Sequence, residues 1–342
     1  MKRVKRIIAI YLAAVMLLLS GCDEKQNDAS LKSSVSFFAM DTYITVTAYG
    51  ENAERAANAS KERIETLEKL WSVTDSESEI YRANSTGQAE LSSETAELVR
   101  YALERCRETK GALDITLYPV VSAWGFTKEE HRVPSDAELT ALLENVGYDR
   151  ITLDGNKLTV PDNMQIDLGS VGKGYAGDLA AKNIRENGVT SALLDLGGNI
   201  QTIGAKPDGS PWKIGVRSPC GDGSFATVSV KDKAVITSGG YERYFEENGE
   251  VYWHILDPKT GKSSHSGLVS VTVIGDEGRL CDALSTSLFV MGIDRAEQLW
   301  KERKDFDFIA VSETGEILIT EDIENDFEIS ESYKGLNVSV IK

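Results

Sequence analysis

A glycine-rich stretch that also carries a lysine and an aspartate is the first candidate for chemistry in this sequence. "QIDLGSVGKGYAGD" occupies residues 165–178 and contains the pattern G-x-G-x-x-G, with its glycines at Gly172, Gly174 and Gly177. Three side chains that can bind ligands surround these glycines: Asp167, Ser170 and Lys173. A helical pattern follows, and backbone N–H groups at a helix start favour an anion, to which Lys173 adds a positive charge. The stretch is therefore either an anion site or a glycine-rich turn that only packs.

The same pattern is the fingerprint of dinucleotide-binding domains, with Asp195 near the position of a ribose-binding acid. The first strand of such a domain is a continuous apolar run. Here Gln165 and Asp167 interrupt the run, and a charge within that strand is hard to bury unpaired. The stretch also does not match a phosphate loop of the Walker type, because Asp167 stands where the first glycine of that motif is needed. The sequence therefore disfavours a NAD oxidoreductase.

A second group of oxygen donors lies in "CDALSTS", residues 281–287. Asp282 and Thr286 are four residues apart and share one face of a predicted helix. Both can offer oxygen to one ion, and a hard cation such as Mg²⁺ prefers oxygen ligands.

The N-terminus predicts export and a lipid anchor. "MKRVKR" is basic, and residues 7–19 form an apolar run of 13 residues, too short for a membrane-spanning helix of about 20. "LLSGC", residues 18–22, resembles a bacterial lipobox, which implies cleavage before Cys22 and lipidation of its thiol. We expect a signal peptide over residues 1–21 and a flexible tether over residues 22–35. The alternative is a plain signal peptide with an incidental cysteine.

Composition predicts one large domain over residues 36–342. The chain has 342 residues, of which 41% are hydrophobic, enough for a sizeable core. Its formal net charge of −17 repels phosphate backbones and disfavours a nucleic-acid partner. After cleavage three cysteines remain within the domain: Cys106, Cys220 and Cys281. An odd number of cysteines and the lack of a C-x-x-C motif predict buried thiols rather than a zinc site or a disulfide framework.

Periodicity predicts helices mixed with strands, without a steady βαβ alternation. Helices are predicted over residues 51–71, 93–110, 135–143, 175–187, 282–291 and 294–303. Ser135-x-x-Glu138 is typical of a capping box at the start of the third helix. Strands are predicted over residues 43–50 and 191–197, in a hairpin turning at Asp154-Gly155, and in several short runs after residue 210. The last of these runs, "DFIAVS" and "EILIT", are predicted to pair through a turn at Thr314-Gly315. This pattern favours an α+β fold with mainly antiparallel sheets.

Seven motifs in order then carry a resemblance to a known family. They are "MDTYITVTAYG" (40–50), "GALDITLYPVVSAWGF" (111–126), "QIDLGSVGKGYAGD" (165–178), "LLDLGGNIQTIG" (193–204), "TSGGYERYF" (237–245), "HILDPKTG" (254–261) and "CDALSTSLFVMG" (281–292). Together they resemble the ApbE family of flavin transferases over about residues 36–330. The resemblance implies an α+β fold and the magnesium-dependent transfer of FMN from FAD to a Ser or Thr hydroxyl, with release of AMP. It also implies a redox protein as acceptor, exported or membrane-bound. Together with the lipobox-like N-terminus, this predicts an enzyme that is lipid-anchored on the extracytoplasmic face of the membrane.

The resemblance also assigns site residues. The metal ligands would be Asp282, Thr286 and, through a backbone carbonyl, Ser170. The FAD contacts would be Met40, Thr74, Ala112, Leu113, Asp114, Asp167, Lys173 and Leu256. His254 would act as general base on the acceptor hydroxyl or bind phosphate, with Asp282 as the rival base. Ala112 and Leu113 either contact the adenine side or only pack, and Met40 either contacts the flavin or packs in the core.

Departures from the family pattern leave alternatives open. Thr74 stands where many relatives have Tyr or Asn, and Asp41 stands where Gly is common. The usual A-K-G reads Gly172-Lys173-Gly174. A magnesium-dependent FAD pyrophosphatase and a flavin-binding lipoprotein without catalysis are the alternative functions.

Overall fold

The computed structural model of this protein describes residues 31–128, 130–219 and 221–342. The predicted signal peptide, Cys22 and most of the predicted tether lie outside the described residues, as does Cys220. No helix in the described ranges is long and apolar enough to cross a membrane.

The strands supply the framework of the molecule, and their bounds follow in chain order. They are β1 Lys32–Ala39, β2 Thr42–Tyr49, β3 Gln88–Glu90, β4 Thr152–Asp154, β5 Lys157–Thr159, β6 Ser191–Leu196, β7 Asn199–Ile203, β8 Trp212–Arg217, β9 Ser224–Val230, β10 Ala234–Gly239, β11 Tyr244–Glu247, β12 Glu250–Trp253, β13 Leu268–Gly275, β14 Phe306–Ser312, β15 Ile317–Thr320, β16 Phe327–Ile329 and β17 Val338–Ile341.

Helices cover one face of the large sheet, whereas strands β8 and β9 pack on its other face. The helices are α1 Ala53–Trp71, α2 Glu79–Thr86, α3 Ser93–Glu108, α4 Tyr118–Trp124, α5 Asp136–Leu143, α6 Gly169–Glu186, α7 Gly278–Met291 and α8 Ile293–Arg303.

One nine-stranded sheet runs through the molecule in the order β1-β2-β6-β7-β10-β13-β14-β15-β17. Its neighbouring strands are antiparallel except for the pair β15 and β17. Smaller antiparallel sheets are formed by β16-β9-β8, β3-β5-β4 and β11-β12. The prediction of an α+β fold with mainly antiparallel sheets is confirmed.

Two apolar clusters on the helical side of the large sheet meet where the candidate site lies. The first joins α1, α3 and α6 to β1, β2 and β6, with Ile44, Leu67 and Ile184 fully buried. The second joins α7 and α8 to β10, β13 and β14, with Phe289 and Trp300 fully buried. Helices α6 and α7 cross between these clusters, so their crossing is held by packing from both sides.

Several local predictions are confirmed. Ser135 caps α5 by accepting a hydrogen bond from the Glu138 amide at 3.2 Å. The carboxylate of Glu138 does not return to the cap but pairs with Arg132, so only half of the predicted capping box forms. The hairpin of β4 and β5 and the pair β14–β15 are present as expected.

Three boundaries differ from the predictions. Strand β1 begins at Lys32 and pairs with β2, so residues 32–35 belong to the sheet rather than to a tether. Helix α6 begins at Gly169 rather than residue 175, which places the glycine pattern inside the helix. Helix α7 begins at Gly278 rather than Asp282. The first turns of α6 and α7 contain glycine, which has a low intrinsic helix propensity. Helix propensity therefore predicts that both helices begin later than they do.

Candidate active site

The carboxylate of Asp282 is the best-defined group of the candidate site. Asp282 lies in α7 and is 5% exposed. Its Oδ2 accepts a hydrogen bond from the backbone N–H of Gly174 in α6 at 2.8 Å. Its Oδ1 accepts a second from the side-chain amide of Asn199 in β7 at 2.9 Å. Three elements therefore meet at this carboxylate, and no ion pair joins it to a basic side chain within the described ranges.

Hydroxyl groups lie one helical turn further along α7. The Oγ of Ser238, near the end of β10, lies 3.2 Å from the Oγ1 of Thr286 and 2.8 Å from the Oγ of Ser285. Ser285 donates in turn to the backbone carbonyl of Asp282 at 2.9 Å. The predicted pair of Asp282 and Thr286 is thus placed on one part of α7, with Ser238 as a partner that sequence reasoning did not single out.

The glycines of α6 allow this helix to lie directly against α7. A Cβ atom on Gly174 would lie 2.2 Å from the carbonyl oxygen of Gly278. A Cβ atom on Gly177 would lie 2.5 Å from the side-chain nitrogen of Gln201, which donates to the Gly174 carbonyl at 2.9 Å. The expectation that these glycines open a helix is wrong, because they lie inside α6 and permit a close helix crossing.

Lys173 and Asp167 flank the first turns of α6. Asp167 is half-buried, and its carboxylate accepts the Gly169 N–H at 2.9 Å. Burial raises the pKa of Asp167, an effect that the nearby charge of Lys173 opposes. Ser170 is the second residue of the helix and is also half-buried. The structure therefore brings the three predicted residues of this stretch to one end of α6.

Met40 and Asp41 form the tight turn between β1 and β2, with φ angles of 52° and 56°. The Met40 N–H donates to Glu68 Oε1 at 2.7 Å, and its side chain packs against the first apolar cluster. The carbonyl of Asp41 accepts a hydrogen bond from Arg243 at 3.3 Å, and the charge of Asp41 raises the pKa of Asp167. This turn therefore borders the site.

His254 lies beside Arg243. The His254 ring nitrogen Nδ1 is 3.3 Å from the Arg243 carbonyl oxygen, which can only accept. This contact selects the tautomer with the proton on Nδ1 and leaves the lone pair on Nε2. Burial, with a smaller contribution from the charge of Arg243, lowers the His254 pKa to about 4. The imidazole is therefore neutral at pH 7, with one nitrogen able to take a proton.

The segment before α4 uses its polar atoms within the fold. Asp114 accepts from the Thr116 N–H at 2.8 Å, from the Thr116 hydroxyl at 2.6 Å and from the Tyr148 N–H at 3.2 Å. Burial raises the pKa of Asp114. Ala112 and Leu113 are buried. The Asp167 N–H donates to the Ile115 carbonyl at 2.8 Å, so this segment lies next to the start of α6.

Two predicted FAD contacts lie in different surroundings. Thr74 is exposed in the loop after α1, where its hydroxyl is 3.2 Å from that of Ser72. Leu256 is buried in an apolar cluster with Trp124 and Leu139. Neither has a described hydrogen bond to the residues around Asp282, so their contact with a flavin stays a prediction.

The family model for "ApbE family" matches residues 40–310, most of the chain. The chain belongs to the ApbE family. Among curated relatives, an FAD:protein FMN transferase of Vibrio cholerae is 32% identical over 82% of this chain and 87% of that protein. One of Haemophilus influenzae is 32% identical over 85% and 89%. The prediction that this chain is an enzyme of the flavin transferase class is confirmed.

Solved ApbE structures agree with this assignment. The ApbE protein of Thermotoga maritima matches with a TM-score of 0.79 and 33% identity, covering 89% of this chain and 98% of that one. The flavin transferase ApbE of Vibrio cholerae matches with a TM-score of 0.75 and 26% identity over 90% and 99%.

In this ApbE-family chain, sequence reasoning missed Asn199, Gln201 and Ser238 around the site. All three are polar residues on strands, and Asn199 and Gln201 are buried. Their alternation along β7 places both amides on the face that meets α6 and α7. The two polar residues in "GGNIQTIG", spaced two apart on a strand, were the available signal that this strand face meets polar groups. The groups that they contact lie far away in the sequence, so the sequence alone did not identify them.

Proposed function

We propose that this enzyme uses Mg²⁺ to transfer FMN from FAD to a Ser or Thr hydroxyl of an exported or membrane-bound redox protein, releasing AMP. The observation that carries this proposal is the environment of Asp282. Both of its oxygens accept hydrogen bonds from N–H donors, and a carboxylate is an acceptor-only group with further lone pairs for a cation. A buried anion without a basic partner is costly, so a bound cation fits this position.

The donors near Asp282 suit a hard cation. Within the described ranges no group of three or more His, Cys, Asp or Glu could hold a metal. The candidate ligands are instead a single carboxylate, the Thr286 hydroxyl and the Ser170 carbonyl, all of them oxygens, as Mg²⁺ prefers. In a regular helix the Gly174 N–H is directed at the Ser170 carbonyl, but here it donates to Asp282. When bound, Mg²⁺ would neutralise charge on the phosphates and make the phosphorus more electrophilic.

His254 is the group best suited to take the proton of the acceptor hydroxyl. Its Nε2 carries a free lone pair in the neutral tautomer, whereas both Asp282 oxygens already accept hydrogen bonds. In the proposed step the hydroxyl oxygen bonds to the FMN phosphorus as its proton passes to His254. The bond from that phosphorus to the oxygen of AMP breaks, and AMP leaves with the electron pair. Lys173 would neutralise phosphate charge during this transfer.

Seven further residues are proposed to contact FAD or to form the wall beside it. Asp167 would accept hydrogen bonds from FAD, and Met40 would contact the flavin from the turn that borders the site. Five others are assigned on the family resemblance, as wall or contact residues: Thr74, Ala112, Leu113, Asp114 and Leu256. Because Asp114 already accepts three hydrogen bonds within the fold, we assign it to shaping the segment beside FAD.

The membrane location is also a proposal. The basic start, the short apolar run and the lipobox-like "LLSGC" support lipidation of Cys22 and an anchor on the extracytoplasmic face. Such an anchor would place the enzyme where exported and membrane-bound acceptors are found.

The test uses the full-length chain in detergent with FAD, MgCl₂ and an acceptor domain that carries a flavinylation Thr. The acceptor is weighed by mass spectrometry, and AMP and free FMN are quantified. We expect a mass gain of one FMN with one AMP released per modified acceptor. Asp282→Asn should abolish both.

Asp195→Asn is the matched control. Asp195 lies on β6, and among the described residues its carboxylate accepts only the Gly198 N–H, at 2.8 Å, a bond that an Asn oxygen can keep. It is also the acid that a dinucleotide fingerprint would need, and we expect full activity from this variant. AMP with free FMN and an unmodified acceptor would identify a pyrophosphatase instead. Bound FAD without AMP would identify a binding protein.

A further inference from the structure

Asn199 contacts the proposed metal carboxylate without belonging to either helix of the site. Its side-chain amide is 5% exposed and donates to Asp282 Oδ1 at 2.9 Å. It is the first residue of β7, directly after the turn Gly197-Gly198. Both of these glycines have positive φ, at 65° and 93°, and Asn199 pairs with Leu196 across the turn.

This turn is rigidly built. A Cβ atom on Gly197 would lie 1.9 Å from the Thr42 hydroxyl oxygen, so the turn packs closely against β2. The Gly198 N–H is held by Asp195 at 2.8 Å. The amide of Asn199 is therefore held by the central sheet, whereas Asp282 belongs to α7. The hydrogen bond between them ties the direction of the carboxylate to the sheet.

A carboxylate on a helix can rotate about its last side-chain torsion, which has broad minima. One hydrogen bond, from Gly174 to Oδ2, leaves that rotation partly free. A second bond to Oδ1, from a different element, fixes the plane of the carboxylate. The lone pairs that accept no N–H then keep fixed directions.

We propose that Asn199 is a positioning residue that orients the Asp282 carboxylate for the divalent cation. The proposal rests on the proposed function, because it assumes that Asp282 binds Mg²⁺. Residues that hold metal ligands through hydrogen bonds typically contribute 10–100-fold to metal affinity. We expect an effect of about that size from the loss of the Asn199 amide.

The neighbouring amide has a different role. Gln201, two residues along β7, donates to the Gly174 carbonyl and, within the described ranges, has no hydrogen bond to a side chain of the proposed metal set. A Cβ atom on Gly278 would lie 1.6 Å from its side-chain nitrogen. Gln201 therefore fills the crossing of α6 and α7, whereas Asn199 reaches the carboxylate itself.

The test measures Mg²⁺ binding by titration calorimetry on the full-length protein in detergent, without FAD. Asn199→Leu keeps the branched shape of the side chain and removes the donor. Asn187→Leu is the control, because in the part of the chain that the structure describes the Asn187 amide donates only to Asn183, at the end of α6. We expect a dissociation constant raised about 10–100-fold in Asn199→Leu and unchanged in Asn187→Leu.

Mn²⁺ binding, followed by electron paramagnetic resonance, gives a second readout that does not depend on turnover. The bound-Mn²⁺ spectrum of Asn199→Leu should differ from that of the wild type, while the FAD affinity measured without metal stays the same. If Asn199→Leu, folded by circular dichroism, binds Mg²⁺ like the wild type, Asn199 does not position the carboxylate. If the wild type binds no better than Asp282→Asn, the metal site itself is wrong and both proposals fail.

Discussion

Gly174 of α6 and Gly278 of α7 meet backbone to backbone, and a Cβ atom on Gly174 would lie 2.2 Å from the Gly278 carbonyl oxygen. The same atom would lie 2.7 Å from the Cβ of Asp282. The glycine at this position therefore sets both the approach of the two helices and the depth at which Asp282 sits. A pattern that resembles a dinucleotide fingerprint serves here as a helix-packing surface.

Gly174→Ala should destabilise the protein by at least about 1–3 kcal/mol, because the new methyl group meets backbone that cannot move aside. Gly172→Ala is the control from the same motif. A Cβ atom there meets only the Trp71 ring, at an ordinary distance of 3.7 Å. That variant should be neutral or gain up to about 1 kcal/mol from helix propensity. Urea unfolding measures both, and equal free energies of unfolding for the two variants would contradict the packing role.

The glycine pattern also explains why the sequence predicts the start of α6 at residue 175 rather than at Gly169. Glycine disfavours a helix interior by about 1 kcal/mol relative to alanine, so local propensity predicts a helix only after Gly174. Contacts with α7 and Gln201 require these glycines and outweigh that preference. Where local preference and packing agree, as at Ser135 and in the β14–β15 pair, the sequence predicted the element correctly.

The site itself was predictable only in part. Asp282 and Thr286 share a helix face, so their spacing was sufficient to pair them. The partners of Asp282 lie 83 residues away at Asn199 and 108 residues away at Gly174. Periodicity describes the face of an element and carries no information about which distant element covers that face. Ser238 was missed for the same reason.

Thr286→Val should weaken Mg²⁺ binding several-fold and lower flavin transfer at limiting Mg²⁺, because it removes a proposed oxygen ligand while keeping the shape of the side chain. Thr237→Val is the matched control. Thr237 lies next to Ser238 on β10, but its hydroxyl is 2.8 Å from that of Thr272, across the strand pair. Transfer rates over a range of Mg²⁺ concentrations separate the two variants. An equal Mg²⁺ dependence for both would remove Thr286 from the ligand set.

Cys22→Ala should release the mature protein from the membrane, since the proposed lipid anchor is attached to that thiol. Cell fractionation measures the released protein, and mass spectrometry of the N-terminal peptide detects the lipid. Cys106→Ala is the control, because Cys106 is buried in the first apolar cluster and has no route to lipidation. Unchanged membrane association of Cys22→Ala would favour an uncleaved or differently attached N-terminus.

The imidazole of His254 should titrate near pH 4 in the folded enzyme, well below the usual pKa of about 6.5. NMR of the ring C–H signal, assigned by its absence from His254→Asn, measures this value. Arg243→Gln should raise the pKa, because a positive charge beside the ring is removed. Burial makes the larger contribution, so the pKa should stay below 6.5. Arg217→Gln, which removes a charge that stacks on Tyr241 instead, should leave it unchanged.

The same residue should make stability depend on pH. The His254 pKa is lower in the folded state, so between about pH 6.5 and pH 4 the unfolded chain binds the proton more readily. Stability from His254 is therefore complete above pH 6.5 and falls as the pH drops towards 4, by at most about 3 kcal/mol. Asp178, whose pKa burial raises to about 6, has the opposite effect, losing stability as the pH rises through that range. The free energy of unfolding in urea is measured against pH for the wild type and for His254→Asn. Their difference isolates the histidine, and a difference that does not vary with pH would contradict its neutral state in the folded enzyme.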